Sequence, residues 1–296
     1  MAMNFADFGM DTASLAGTLE CKLAAIRGAG FGQVMLAAND IVGHPASAAG
    51  GNRAVRESGL RVTGFEALRD FEGLGGKLHA YKVAVAKSML ELCHGVGCDL
   101  LLVEATTLKH AHADPERVAS DLRKLAMLAI PLGIRIAFKP REGSRTAHDL
   151  ASASDIVFRA ACPNLGLALD AFDALVAQTP HDDIEALAPQ QIFVVQLSDF
   201  MWHEIRSPAE HASTATHFRV FPGEGAHSDE LAALVRRLDK IGYAGDFSFD
   251  VYNHDYLQMP AESVADRARA AAEWLGETVL RRALPVPNLE RLAQSR

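Results

Sequence analysis

Residues 114–143, DPERVASDLRKLAMLAIPLGIRIAFKPREG, decide the reading of the fold. DPERVASDLRKLAMLAIPLG runs from a capping residue to a glycine stop, as a helix does. The following GIRIAFK is a short apolar run of buried-strand composition that ends in a lysine, Lys139. A helix, a glycine and a buried strand in succession form the repeating unit of a parallel sheet.

Working outward, the same alternation recurs along the chain. Apolar runs rich in Val, Ile, Leu and Phe lie near Ala6–Ser14, Gln33–Leu36, Arg61–Phe65, Leu100–Val103, Arg135–Phe138, Leu165–Leu169, Ile192–Leu197 and Asp246–Val251. GTLECKLAAIRGAGFG and SDELAALVRRLDKIGYAG are helices of the same grammar, each stopping at glycine before the next run. Eight such units predict an α/β fold, a single (β/α)8 TIM barrel. A doubly wound sheet would more often have fewer strands and a Gly-rich first turn, and no G-x-G-x-x-G follows any strand. The barrel is expected over residues 1–278, with a C-terminal extension over 279–296.

Composition bounds the function. The 296 residues are 49% hydrophobic and 22% charged, enough for one large core. A net charge of -8 and the lack of any basic run argue against nucleic acid as a partner. No segment has the apolar length of a membrane span and the first residues lack the pattern of a signal peptide, so a cytoplasmic location is expected. Cys21, Cys93, Cys98 and Cys162 lack zinc-site spacing and read as reduced thiols. The alternating His110 and His112 read as exposed loop residues, and Trp202 as an aromatic wall at the barrel mouth or as surface packing.

In such a barrel the chemistry sits at the C-terminal ends of the strands. The polar residues there are Asn39, Asp40, Glu66, Arg69, Glu72, Glu104, Lys139, Asp170, Asp173, Gln196, Asp199, Asp250 and Asn253.

The stretches SLAGTLECKLAAIRGAGF, RDFEG, LGLALDAFDAL, FVVQLSD, HFRVFPGEG and SFDVYNHD, in this order, resemble bacterial 3-dehydroshikimate dehydratases. These belong to the wider xylose isomerase-like barrel superfamily of sugar phosphate isomerases and epimerases. The resemblance implies a lyase or an isomerase with a small-molecule substrate, and a divalent metal (Mn, Mg, Co or Zn) held by a Glu, an Asp, a Gln or His, and a Glu. Those positions are Lys139, Asp170, Gln196 and Asp250 here. Asp250 keeps a carboxylate. An ammonium with a reference pKa of about 10.4 is no ligand, so the metal is expected to be absent unless Asp170, Gln196 and Asp250 retain it.

Other departures follow. VMLAAND has Met35 and Ala38 where the relatives have glutamates, Asp173 and Thr146 replace histidines, and Glu104 stands where a small residue is usual. Beside the new lysine, Glu104 reads as half of a charge exchange, or as a solvated loop residue.

Lys139, Asp170, Asp250 and Glu104 are the candidate catalytic residues, with Lys139 an electrostatic stabiliser, a base or a Schiff-base amine. Arg69, Glu72, His217, Arg219 and Gln196 are candidates for substrate binding. Arg69 and Arg219 either clamp a carboxylate or tie loops to Glu72 and Glu224. Two functions stay open: an enzyme acting on a small polyhydroxylated carboxylate or ketose such as 3-dehydroshikimate, or a catalytically silent barrel that binds a small acid as a sensor or accessory subunit. The apolar ALPVPNL near the C-terminus offers a contact for a homo-oligomer.

Overall fold

The structure, a computed structural model, describes residues 5–281. Its strands are β1 (Phe8–Asp11), β2 (Gln33–Ala37), β3 (Arg61–Arg69), β4 (Leu100–Glu104), β5 (Arg135–Lys139), β6 (Leu165–Asp170), β7 (Ile192–Leu197), β8 (Asp199–Phe200), β9 (Arg219–Val220) and β10 (Asp246–Phe249). Eight of them close a parallel barrel in the order β1-β10-β7-β6-β5-β4-β3-β2, as the alternation predicts.

Strands such as LLLVE and LGLALD are buried along their whole length, since helices cover the outside and side chains fill the inside. The helix Pro115–Ala129 shows how the outer layer is made. Asp114 caps it by accepting from the Glu116 N–H at 3.1 Å, and Val118, Leu122, Leu125, Ala126 and Ala129 form its buried stripe. Aromatic rings fill the side of the barrel near β1, where Phe8 stacks on Phe247 and Phe249 at centroid distances of 5.5 and 5.8 Å.

The structure corrects the expected boundaries in three places. The first strand is only four residues long, flanked by single 3-10 turns (Phe5–Asp7 and Thr12–Ser14). There the Thr12 and Ser14 hydroxyls accept from the backbone N–H groups of Ala37 and Val251, in competition with ladder pairing. The third strand runs to Arg69, four residues further than expected, across an irregularity between Phe65 and Leu68. The last strand stops at Phe249, so Asp250 immediately follows it.

A feature with no sequence forecast is the antiparallel pair β8–β9, a separate two-stranded ladder that lies between β7 and β10 in the chain. Asp199 anchors it by accepting from the N–H groups of Phe200 and His227 and from the Ser228 hydroxyl. A Cβ at Gly225 would run into this carboxylate, which accounts for the second glycine of FPGEG; the first, Gly223, has φ +91°. The expected C-terminal extension lies mostly outside the described residues. Val279 and Leu280, at its start, still pack on the core.

Gly166 on β6 sits against β7, and an added Cβ would lie 2.6 Å from the Gln191 carbonyl oxygen and 2.7 Å from the Phe193 ring. Gly166→Ala is therefore expected to destabilise the barrel by about 1–3 kcal/mol, read as a melting temperature several degrees lower.

Candidate active site

The barrel delivers its charged residues by a single rule. Arg69, Glu104, Lys139 and Asp170 are the last residues of β3, β4, β5 and β6, and register sets Glu104 beside Lys139 and Asp170 beside Gln196. Lys139 lies at the centre, 2% exposed. Its ammonium donates to Gln196 Oε1 at 2.9 Å and Asp170 Oδ2 at 3.2 Å, with Glu104 Oε1 at 3.7 Å and Asp250 Oδ2 at 3.9 Å.

Arg219 comes from β9, outside the barrel, and reaches the same carboxylates. Nη2 donates to Asp170 Oδ2 at 3.2 Å and Nη1 to Asp250 Oδ2 at 2.9 Å, while the guanidinium lies 4.3 Å from the centre of the Phe172 ring. The other Asp170 oxygen accepts from the Phe172 N–H, so neither oxygen is without a donor. Gln196 Nε2 donates to Asp11 Oδ2 at 2.7 Å and Glu66 Oε2 at 3.2 Å. Its amide is thereby oriented, with the oxygen on the ammonium and the nitrogen on two carboxyl groups.

Burial opposes every one of these charges, and the pairing decides which survive. For Asp170, Arg219 and Lys139 overcome burial and hold the carboxyl well below the usual range. For Lys139, Asp170, Glu104 and Asp250 overcome burial and hold the amine protonated. Glu104 is brought down to about 2 against burial, chiefly by Lys139 and Arg69. For Glu66, burial and then Asp250 outweigh the attraction of Lys139 and push the carboxyl up to about 8. Asp11 is likewise raised, by burial and then by Glu66.

Above this floor opens a cavity of about 490 Å³. Its wall includes Asn39, Glu66, Arg69, Glu104, Lys139, Arg141, Thr216, Arg219, Asp250 and Tyr252. A closed eight-stranded barrel with polar groups converging at its C-terminal mouth hosts many chemistries, and comparison with known proteins identifies the family. The family model for the xylose isomerase-like TIM barrel matches residues 23–278. The chain belongs to the xylose isomerase-like TIM barrel family.

Within that family, a 3-dehydroshikimate dehydratase of Pseudomonas aeruginosa is 33% identical over 254 residues, covering 86% of this chain and 39% of the relative. An inosose isomerase of Halalkalibacterium halodurans is 25% identical over 150 residues, half of each chain. Among solved structures, a xylose isomerase-like TIM barrel/4-hydroxyphenylpyruvate dioxygenase fusion protein superposes with a TM-score of 0.86 at 27% identity, covering 94% of this chain and 45% of that one. The chain thus spans about two fifths of the length of the dehydratase that it matches.

The metal implied by the xylose isomerase-like resemblance does not fit this donor set. Asp170 Oδ2, Asp250 Oδ2 and Gln196 Oε1 already face an ammonium, a guanidinium or both. A divalent ion sharing those oxygens would meet two fixed cations, and unit charges 4 Å apart repel by about 4 kcal/mol at an effective dielectric of about 20. Among the described residues no group of three or more His, Cys, Asp or Glu side chains is arranged to hold a metal ion.

Of the residues expected at the site, Lys139, Asp170, Asp250, Glu104, Arg69, Arg219 and Gln196 come together. Two do not. His217 ends the helix Pro208–His217, is exposed, and packs edge-on against His254 at 4.4 Å. Glu72 is buried behind the wall, where Oε1 accepts from the Thr106 N–H at 2.5 Å. The expected loop ties are also replaced: Arg69 grips Glu104, and Glu224 accepts from Arg267 and Tyr256. Glu104 is 6% exposed, which rules out the solvated-loop reading, and Trp202 packs on Phe218 outside the cavity wall.

Sequence reasoning gave no role to Asp11, Glu66 or Arg141. It also missed His211, buried beside the site within 3.3 Å of both Glu142 and Asp173. The signal for Glu66 was its place directly after the expected apolar run Arg61–Phe65, which the structure extends to Arg69.

Burial pushes the Glu72 carboxyl up to about 7. The unfolded chain ionises this group from about pH 4.5 upward while the folded chain resists, so stability falls as pH rises through that window and levels off above pH 7. Glu72→Gln keeps an acceptor for the Thr106 N–H and removes the fall. Chemical denaturation should show the variant gaining up to about 3 kcal/mol over the parent at pH 8 and nothing at pH 4.

Proposed function

We propose that the chain is a dehydratase or isomerase barrel acting on a small polyhydroxylated carboxylate or ketose such as 3-dehydroshikimate. In this reading Lys139 and Arg219 supply the positive charge at the cavity floor, without the usual divalent metal. The observation that carries it is the sharing of Asp170 Oδ2 by the Lys139 ammonium and the Arg219 guanidinium, both at 3.2 Å, beneath a polar cavity. The family and the dehydratase and isomerase relatives support the reaction class.

Dehydration beside a ketone and ketose isomerisation share a first step, loss of a proton from the carbon next to a carbonyl. Asp250, on the cavity wall, takes that proton, and the electron pair moves onto the carbonyl oxygen. Lys139 holds the resulting enolate by charge and hydrogen bonding in a site where the donor is already oriented. Return of the proton from Asp250 to the former carbonyl carbon, with the neighbouring hydroxyl's proton passing to the first oxygen as the new carbonyl forms, completes an isomerisation. In a dehydration the carbonyl re-forms, the enolate pair makes the C=C bond, and the β-hydroxyl takes the proton from Asp250 and leaves as water. Lys139 does this as an ammonium: three carboxylates hold it protonated, which disfavours the amine required of a base or a Schiff-base nucleophile.

Two measurements test the reading. With 3-dehydroshikimate the absorbance of a conjugated product, and with ketoses deuterium uptake from D2O by NMR, should show turnover that chelators leave intact and Lys139→Met lowers at least 100-fold. Calorimetry should show manganese and zinc bound by Lys139→Glu and not by the parent. Stoichiometric metal in the parent, with chelator-sensitive turnover, refutes the internal-cation reading. Absence of exchange with every substrate favours the sensor or accessory barrel, for which the tied-up carboxylates are the supporting observation.

A further inference from the structure

The cations on the cavity wall are Arg69, Lys139, Arg141 and Arg219. Each is within salt-bridge distance of an internal carboxylate. Arg219 has Asp170 and Asp250. The other three share one residue: Arg69 grips Glu104 in a two-pronged contact (Nε–Oε2 2.8 Å, Nη2–Oε1 3.3 Å), Arg141 lies 3.5 Å from Oε2, and Lys139 lies 3.7 Å from Oε1. Glu104 itself lines the cavity and is 6% exposed.

This is the arrangement by which a protein holds a ligand carboxylate: a two-pronged guanidinium contact, with further cations around it. Here the carboxylate belongs to the protein. We infer that Glu104 is a specificity-determining residue whose carboxylate fills the anion subsite from within, so that the cavity selects uncharged polyhydroxylated ketones over carboxylates. The inference rests on the reading of this cavity as the substrate site and narrows its substrate class.

The physical argument is one of competition. An incoming carboxylate must displace Glu104 from its two-pronged contact with Arg69, leaving it only the longer approaches of Arg141 and Lys139 at 3.5 and 3.7 Å, or settle beside Glu104 and Asp250, where like charges repel. A hydroxyl meets neither cost. It donates to the carboxylates and accepts from the guanidinium N–H groups, and Asn39, Thr216 and Tyr252 add uncharged partners around the wall. Rejection by an internal like charge is a recognised route to specificity.

The test uses the full chain, with shikimate as a carboxylate probe and myo-inositol as an uncharged one, titrated by calorimetry into the parent and Glu104→Gln. The parent should bind myo-inositol at least tenfold more tightly than shikimate. The glutamine should raise the shikimate-to-myo-inositol affinity ratio at least tenfold, and the new shikimate binding should weaken with salt, as ion pairing to freed Arg69, Arg141 and Lys139 requires. An unchanged ratio overturns the inference. So does tighter binding of shikimate by the parent, a result that needs no variant to fold. Efficient dehydration of 3-dehydroshikimate by the parent overturns the narrowing while leaving the enzyme reading in place. Failure of both probes with both proteins, together with no exchange of any ketose, removes the substrate-site reading and the inference with it.

Discussion

The site depends on one ammonium kept charged at the floor of the cavity, where it is only 2% exposed. Removing a lysine head group from solvent costs several kcal/mol, and a single surface-type ion pair would not offset that. Lys139 meets the cost through several partners at once: Asp170, Gln196, Glu104 and Asp250 all lie within 4 Å. The neighbours are constrained in turn. Gln196 must present its oxygen to the ammonium, so its nitrogen faces Asp11 and Glu66. Asp170, sharing one oxygen between two cations, stays ionised despite burial.

Rigid strand ends make such a network possible. Four of the charged residues close consecutive strands from β3 to β6, so their spacing follows from barrel register and not from loop conformation. A packed barrel interior below them cannot flood with water. The charge separation between a strongly acidic Glu104 and a carboxyl at Glu66 near 8 has the same origin. One faces three cations, and the other meets the nitrogen of an amide and another carboxylate.

Much of this was legible in the sequence, for identifiable reasons. Buried parallel strands are continuous apolar runs, so all eight were visible, and their last polar residues marked Lys139, Asp170 and Gln196. Parity then failed where the ladder is irregular. Between Phe65 and Leu68 the register shifts, and counting alternate residues no longer tells which side Glu66 faces. His217 and Arg219 look like neighbours on one side of an extended segment, yet a helix ends at the first and a strand begins at the second. Glu72 follows Asp70, whose φ of +52° turns the chain and carries the glutamate behind the wall. Long-range charge pairing, such as Arg69 with Glu104, leaves no periodic trace at all.

The short pair β8–β9 has a consequence for motion. It carries Arg219 to the barrel from a segment whose own ladder is two residues long. Lifting it would withdraw one of the two cations from Asp170 and Asp250 and leave their charges facing a lone ammonium. Packing and charge both hold the segment, since Phe200, Val220 and Phe221 are buried while Arg219 ties its ladder to Asp170 and Asp250, so the seat of this short pair and the ionisation of the buried Asp170 are linked.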